Sequence, residues 1–343
     1  ISFGKSSLFR YWHKSGLSPE PGNYYTIDEM ADDMNADKMR AALHHAESNV
    51  LYQWLCLRPD DRPVVDPSFY TRFAHLIDQL ERPHKLTPRQ KDVVAERLEE
   101  PLFLVQGPPG TGKSHTLSWA VLAQIAAAAA RGRPFRVAVS SKTHNATNIV
   151  LGAIGAKLQR LKGFPTPMTR ALRDLEVYKI VNDDDDDVPT SVRRINAYGQ
   201  KGNPLETLLS RKLLVIGGTP GGLYNLARYR AAGGCRTVEW DRKPFDLLVM
   251  DEASQMSLPE GILAGAFLKP DGRVIVVGDH RQMPPIIAHD WEDEEKRTVA
   301  NSRPYLSLFE SLIERDFPCV ALDESFRLHR TVADFLQRNI YVR

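Results

Sequence analysis

Gly107-Pro-Pro-Gly-Thr-Gly-Lys-Ser114 follows the apolar run Leu102-Phe-Leu-Val105 and precedes an Ala-rich segment at 116–130. The apolar run predicts a buried strand and the Ala-rich segment a helix. Strand, glycine-rich turn and helix are the setting that a G-x-x-x-x-G-K-[ST] phosphate-binding loop requires. Its glycines let backbone N–H groups converge on phosphate oxygens, and the helix N-terminus adds partial positive charge. Gly107, Pro108, Pro109, Gly110, Thr111 and Gly112 then form the cradle, Lys113 reaches the terminal phosphates and Ser114 holds Mg²⁺. The bland alternative is an ordinary Gly/Pro turn, and the complete pattern in its complete setting argues against it. The stretch predicts binding of a nucleoside triphosphate.

Further buried strands are predicted around 135–139, 213–216, 245–250 and 274–277, each ending in a polar segment. The strand at 245–250 runs into Asp251-Glu-Ala-Ser-Gln255. An aspartate at the end of an apolar strand is what the Mg²⁺ shell opposite Ser114 needs, and Glu252 can accept a proton from the attacking water. The strand at 274–277 is followed by Gly278-Asp-His-Arg-Gln-Met-Pro-Pro285, where Gln282 is placed to touch a γ-phosphate or its water. The plain alternative there is a turn with two prolines. Upstream, Leu86-Thr-Pro-Arg-Gln90 reads in two ways. Thr87, Pro88 and Gln90 fit a helix start with a capping box. Gln90 could equally pair with the adenine edge, where an amide both donates and accepts. Ser140-Ser-Lys-Thr-His-Asn-Ala146 is a polar strand end, suited either to phosphate and sugar contacts or to a capped connection. Gly217-Gly-Thr-Pro-Gly-Gly222 is a strand-end turn with Thr219 as its side-chain donor.

Before the phosphate loop, apolar residues recur at helical spacing over 27–55 and 68–80. His44, His45 and His75 fall in these helices without acidic or Cys partners at ligand spacing. Residues 157–211 interrupt the α/β rhythm with basic residues around the run Asp183-Asp-Asp-Asp-Asp187, and are expected to form an insertion with a solvated loop. The 343 residues, 42% hydrophobic and 26% charged, fit one large α/β domain or two smaller ones. A net charge of +2 gives no overall basic excess, so nucleic acid would have to bind a local patch. Cys56, Cys235 and Cys319 lack the spacing of a zinc site or a disulfide framework, which favours a reducing, intracellular setting, cytoplasmic or nuclear. No run is long enough to span a membrane. The start at Ile1, without Met or a signal-peptide pattern, leads us to expect a trimmed chain.

In this order, Gln90, residues 107–114, 140–146, 251–255, 278–285 and Ser325-Phe-Arg-Leu-His329 resemble the superfamily 1B helicases of the up-frameshift and senataxin type. The resemblance covers roughly residues 86–343. It implies a RecA-like P-loop NTPase, with a mainly parallel sheet flanked by helices. Such a domain uses ATP and Mg²⁺ and moves 5′ to 3′ along single-stranded DNA or RNA. By resemblance Gln90 meets adenine, Lys113 and Ser114 meet phosphate and Mg²⁺, and Asp251 and Glu252 meet Mg²⁺ and water. Gln282 and Arg327 would face the γ-phosphate, while Thr143, His144, Asn145 and Thr219 would lie along the nucleic-acid backbone. The implied layout is a helical lead-in over 1–85, a first RecA-like domain over 86–320 with the insertion at 157–211, and the start of a second at 321–343.

Three departures stand out. Arg330 takes the place of the family's usual Pro, residues 1–85 show no strands for the small β-barrel common in the family, and the second RecA-like domain is almost wholly missing. Arginines from such a partner are worth about 10³–10⁵ in rate in analogous enzymes, so the chain alone is expected to bind ATP and hydrolyse it poorly. The competing expectation is an ATP-gated nucleic-acid clamp or regulator without unwinding.

Overall fold

Leu102 and Leu104 face one hydrophobic core while Phe103 and Val105 face another. Such alternation with both faces covered is the signature of a strand inside a parallel sheet. The same division recurs at Val137 and Val139 against Ala138, and at Ile275 and Val277 against Val274 and Val276. In the computed structural model, which describes residues 35–56, 67–81, 85–96, 100–181, 187–196, 204–230, 236–285 and 306–341, these runs build one sheet.

The strands are β1 (Leu102–Gln106), β2 (Phe135–Ser141), β3 (Glu176–Val181), β4 (Arg193–Asn196), β5 (Leu213–Gly218), β8 (Phe245–Asp251), β9 (Leu268–Gly278) and β10 (Cys319–Ala321). A short antiparallel pair, β6 (Arg228–Arg230) and β7 (Arg236–Val238), stands apart from them. The eight-stranded order is β10-β1-β9-β8-β2-β5-β3-β4, and every pairing in it is parallel.

The helices are α1 (Ala36–His44), α2 (Val50–Cys56), α3 (Pro67–Leu80), α4 (Pro88–Lys91), α5 (Lys113–Ala130), α6 (His144–Lys162), α7 (Pro167–Ala171), α8 (Pro204–Leu209), α9 (Pro220–Ala227), α10 (Leu258–Gly265), α11 (Leu308–Ile313) and α12 (Arg330–Asn339). One core packs α3, α5 and α6 on the sheet through Phe73, Trp119 and Ile154; the other packs α2, α9, α10 and α11 through Leu51, Leu223, Ala264 and Phe309. Trp119 is fully buried edge-on to Phe73 at 6.4 Å, so truncating it to Ala would cost about 3–5 kcal/mol.

Three expectations change. The helical spacing over 27–55 resolves, within the described residues, into α1, a 3₁₀ turn (Ala46–Ser48) and α2. The break is at Asn49, whose Oδ1 accepts from the Tyr52 N–H and whose Nδ2 donates to the Ile262 carbonyl. The lead-in helices also belong to the layers covering the sheet, because Leu51 and Phe73 complete its two cores. Finally, the described parts of 157–211 join the main sheet and its cover: Lys157, Arg160 and Lys162 lie in α6, and β3 and β4 extend the sheet beyond β5. Lys179 disguised β3 by breaking its apolar run. It is nevertheless buried, with Nζ donating to the His144 carbonyl at 3.2 Å. The aspartates at 183–186 and residues 1–34 lie outside the described residues. At the other edge, β10 pairs with β1 up to Ala321, so this sheet's last strand reaches the boundary at which a second domain was expected to begin. Among the described residues, no helix is long and apolar enough to cross a membrane.

Candidate active site

A wholly parallel sheet brings all its strand ends of one polarity to one rim, where ligands of open α/β folds bind. Register aligns the polar segments there: Gln106 lies opposite Gly278, and Ser141 opposite Asp251. Residues 107–114, 251–255, 278–285, 140–146 and Thr219 therefore meet along one edge.

The phosphate loop is shaped by two glycines in the left-handed region, Gly110 (φ +81°) and Gly112 (φ +78°). Gly112 precedes the 18-residue α5 without a side-chain cap, leaving first-turn N–H groups for an anion. Lys113 folds back over Gly107, and its Nζ donates to the Gly107 carbonyl at 2.8 Å. A Cβ on Gly107 would lie 2.1 Å from the lysine's Cγ, so this fold needs glycine there. Ser114 sits half-buried on the first turn of α5.

Gln90 is 3% exposed against this loop. Its Oε1 accepts from the Thr87 N–H at 3.0 Å, and the Thr87 hydroxyl accepts from the Gln90 N–H, so the capping box is real. Its Nε2 donates to the Thr111 carbonyl at 3.3 Å. The amide thus spends its acceptor on the helix cap and one donor on the loop, leaving its second hydrogen and lone pair uncommitted by these bonds.

Asp251 is 3% exposed, and its Oδ1 has no hydrogen-bond partner. Burial, then the charge of Glu252, push its carboxyl up to about 7; Lys113 and the Glu252 N–H pull the other way. An orphaned buried carboxylate oxygen on this rim fits a divalent cation, which Asp251 and Ser114 would hold. Mg²⁺ commonly takes only one or two protein carboxylates and completes its shell with phosphate and water. Among the described residues, no group of three or more His, Cys, Asp or Glu could by itself hold a metal ion. Glu252 adopts left-handed backbone angles (φ 55°, ψ 37°), an uncommon conformation for a residue with a Cβ.

Gln282 reaches the same rim with its Nε2 donating to Asp279 Oδ2 at 2.7 Å. Asp279 is buried, receives the Tyr341 hydroxyl on that same oxygen, and through its N–H donates to Ser254 Oγ, joining the 278–285 turn to the acidic motif. The sequence reading gave Asp279 and Tyr341 no role, since their meeting depends on how α12 packs.

Arg327 is exposed, yet its segment sits on the phosphate loop: the Phe326 N–H donates to the Gly110 carbonyl at 2.8 Å, and Ser325 Oγ to that of Pro109 at 3.2 Å. A cavity of about 720 Å³ opens beside the loop, walled by Pro109 and Thr111 on one side and by His280, Arg281 and Tyr341 on another.

Thr143 and Asn145 are exposed at the start of α6, where Thr143 Oγ1 caps the helix by accepting from the Ala146 N–H. His144 is half-buried between them. Thr219 caps α9 by accepting from the Gly222 N–H. Thr143 therefore serves the capped connection foreseen as the alternative for 140–146, Thr219 caps a different helix, and both still lie on the rim. Below α5, burial lowers Lys157 to about 8, and its Nζ lies 3.2 Å from Nδ1 of His115, the neighbour of Ser114. Burial likewise lowers His115, with the Lys157 charge second.

With this geometry in view, a family model described as an AAA domain matches residues 85–294, more than half of the chain. The chain belongs to the AAA domain family. Regulator of nonsense transcripts 1 from Dictyostelium discoideum is 26% identical to it, over 90% of this chain and 22% of that protein. ATP-dependent helicase NAM7 from Saccharomyces cerevisiae is 26% identical over 75% of this chain and 25% of that protein. DNA replication ATP-dependent helicase/nuclease DNA2 from Xenopus laevis is 25% identical over 99% of this chain and 28% of that protein. This AAA domain chain thus spans about a quarter of the length of the curated relatives it matches. Motif order and relatives agree on a RecA-like domain of the superfamily 1 helicase type.

Proposed function

We propose that this chain is the first motor domain of an ATP hydrolase that moves along single-stranded DNA or RNA, 5′ to 3′. What carries this reading is the meeting of Lys113, the Asp251/Glu252 couple and the Gln282 turn on one rim, with Asp251 Oδ1 buried and unpartnered. In it, the loop N–H groups and Lys113 bind the phosphates, and Ser114 and Asp251 hold Mg²⁺, which screens the phosphate charge. Glu252 accepts the proton of the attacking water. Gln282 and Arg327 contact the γ-phosphate, and Gln90 offers its remaining donor and acceptor to adenine. Thr143, His144, Asn145 and Thr219 run beside the strand's backbone.

The turn around Gln282 supports coupling to movement, since Asp279 joins it to both the acidic motif and Tyr341. The test is ATP hydrolysis by the full-length protein with and without single-stranded oligonucleotide. At least tenfold stimulation is expected; turnover indifferent to every DNA and RNA strand would remove the motor reading. Strand displacement measured on a tailed duplex then separates a motor from an ATP-gated clamp, and reversing the tail tests the direction.

A further inference from the structure

Lys142 belongs to the polar segment at the end of β2, where a lysine would suit a strand phosphate. Its charge is directed elsewhere: Nζ lies 2.6 Å from Glu260 Oε1. Glu260 is 8% exposed, and its other oxygen accepts from the Ser257 N–H (2.9 Å) and hydroxyl (3.1 Å) at the start of α10. Ser257 closely follows the acidic motif at 251–255, while Lys142 follows Ser141, the register partner of Asp251.

One carboxylate therefore ties the helix leaving the acidic motif to the corner that begins α6. The Lys142 side chain is 34% exposed and that of Glu260 10%, so water screens the attraction and the pair contributes little net stability. Its consequence is geometric: beyond the β2–β8 ladder it adds a side-chain tie between two segments that the proposed function assigns to different ligands, ATP at 251–255 and a nucleic-acid strand at 143–145. We propose that Lys142 and Glu260 are a positioning pair that couples these two sites. This inference rests on the motor reading for the identity of the second ligand. A shift of the acidic motif on binding ATP reaches the α6 N-terminus through the pair, and strand binding acts back on the acidic motif by the same free energy.

Glu260→Gln keeps an acceptor for the Ser257 N–H and removes the charge. In the full-length protein it should leave strand-free ATP hydrolysis within about twofold of the parent and the half-stimulating concentration of single-stranded oligonucleotide unchanged. Maximal stimulation should fall by about fivefold or more, the low end of usual coupling factors. Lys142→Met, which spares the α10 cap, should show the same loss of maximal stimulation, and Lys142→Arg should restore it. A second readout needs no strand: Mg²⁺ with a non-hydrolysable ATP analogue should slow amide hydrogen exchange over 143–148 in the parent but not in Glu260→Gln. An exchange response in Glu260→Gln equal to the parent's overturns the pairing role, whatever the stimulation does. A parent that no strand stimulates sinks the motor reading instead, and the exchange measurement still decides the pair.

Discussion

Two turns on the same rim enter the left-handed backbone region by different means. In the phosphate loop the residues concerned are Gly110 and Gly112, for which that region is open at no steric cost. In the acidic turn the residue is Glu252, held at φ 55° with a side chain that glycine could not supply. Such strain costs about 1–3 kcal/mol and persists where the surroundings over-determine it. On the proposed function, the chain uses glycine where backbone N–H groups do the binding and tolerates strain where a carboxylate is needed.

The largest effect that would break this comparison is at Glu252. Glu252→Gln should retain ATP and Mg²⁺ binding and lose turnover by about 10²–10⁴-fold, since the amide cannot take the proton. Calorimetric binding beside steady-state hydrolysis checks it, and parental turnover would deny Glu252 the role of base. Next comes Gly110→Ala, which places a Cβ in the left-handed region, 2.7 Å from Cβ of Arg327. The backbone penalty of about 1–2 kcal/mol falls on the folded loop, so stability in urea unfolding should drop by about that amount, and an unchanged midpoint would show that the loop relaxes out of this region.

Asp251 offers a pH test of similar size. The folded protein keeps this proton up to about pH 7, whereas the unfolded chain releases it near 4. Between those values the folded state binds more protons, so stability without cation declines as pH rises through the window. Cation binding must displace the proton, so Mg²⁺-dependent nucleotide affinity should fall about tenfold per pH unit below 7. A flat profile, or one that Asp251→Asn leaves in place, would count against Asp251 as the ligand.

The smallest effect sharpens the contrast. Glu252→Gly relieves the strained angle and loses some rigidity, for a net stabilisation of up to about 1 kcal/mol in urea unfolding, while turnover disappears. If stability falls instead, Glu252 is held by contacts that outweigh its strain.

The central strands were legible because each is an apolar run buried on both faces, and the rim motifs because chemistry ties their residue types to short spacings. The outer strands were not. β3 carries Lys179 among its apolar residues, and β4 begins with two exposed arginines, so burial there depends on neighbours far along the chain. The Thr87–Gln90 cap was readable from four residues, but not that the same amide also braces the Thr111 carbonyl. Lys142 was legible as a cation, and its commitment to Glu260, 118 positions away, was not.

By itself, then, the chain's sequence determined the local units: a glycine-shaped phosphate loop, an acidic turn after a buried strand, and a polar turn closed by two prolines. Tertiary structure alone decided which strand lies beside which, and so which of these turns share the rim. It also decided that Asp251 Oδ1 is left unpartnered while Lys142 and Asp279 find partners. The reason is physical: backbone preference and apolar period act over a few residues, whereas burial of a charge and the choice of its partner are set by chain packed against it from elsewhere.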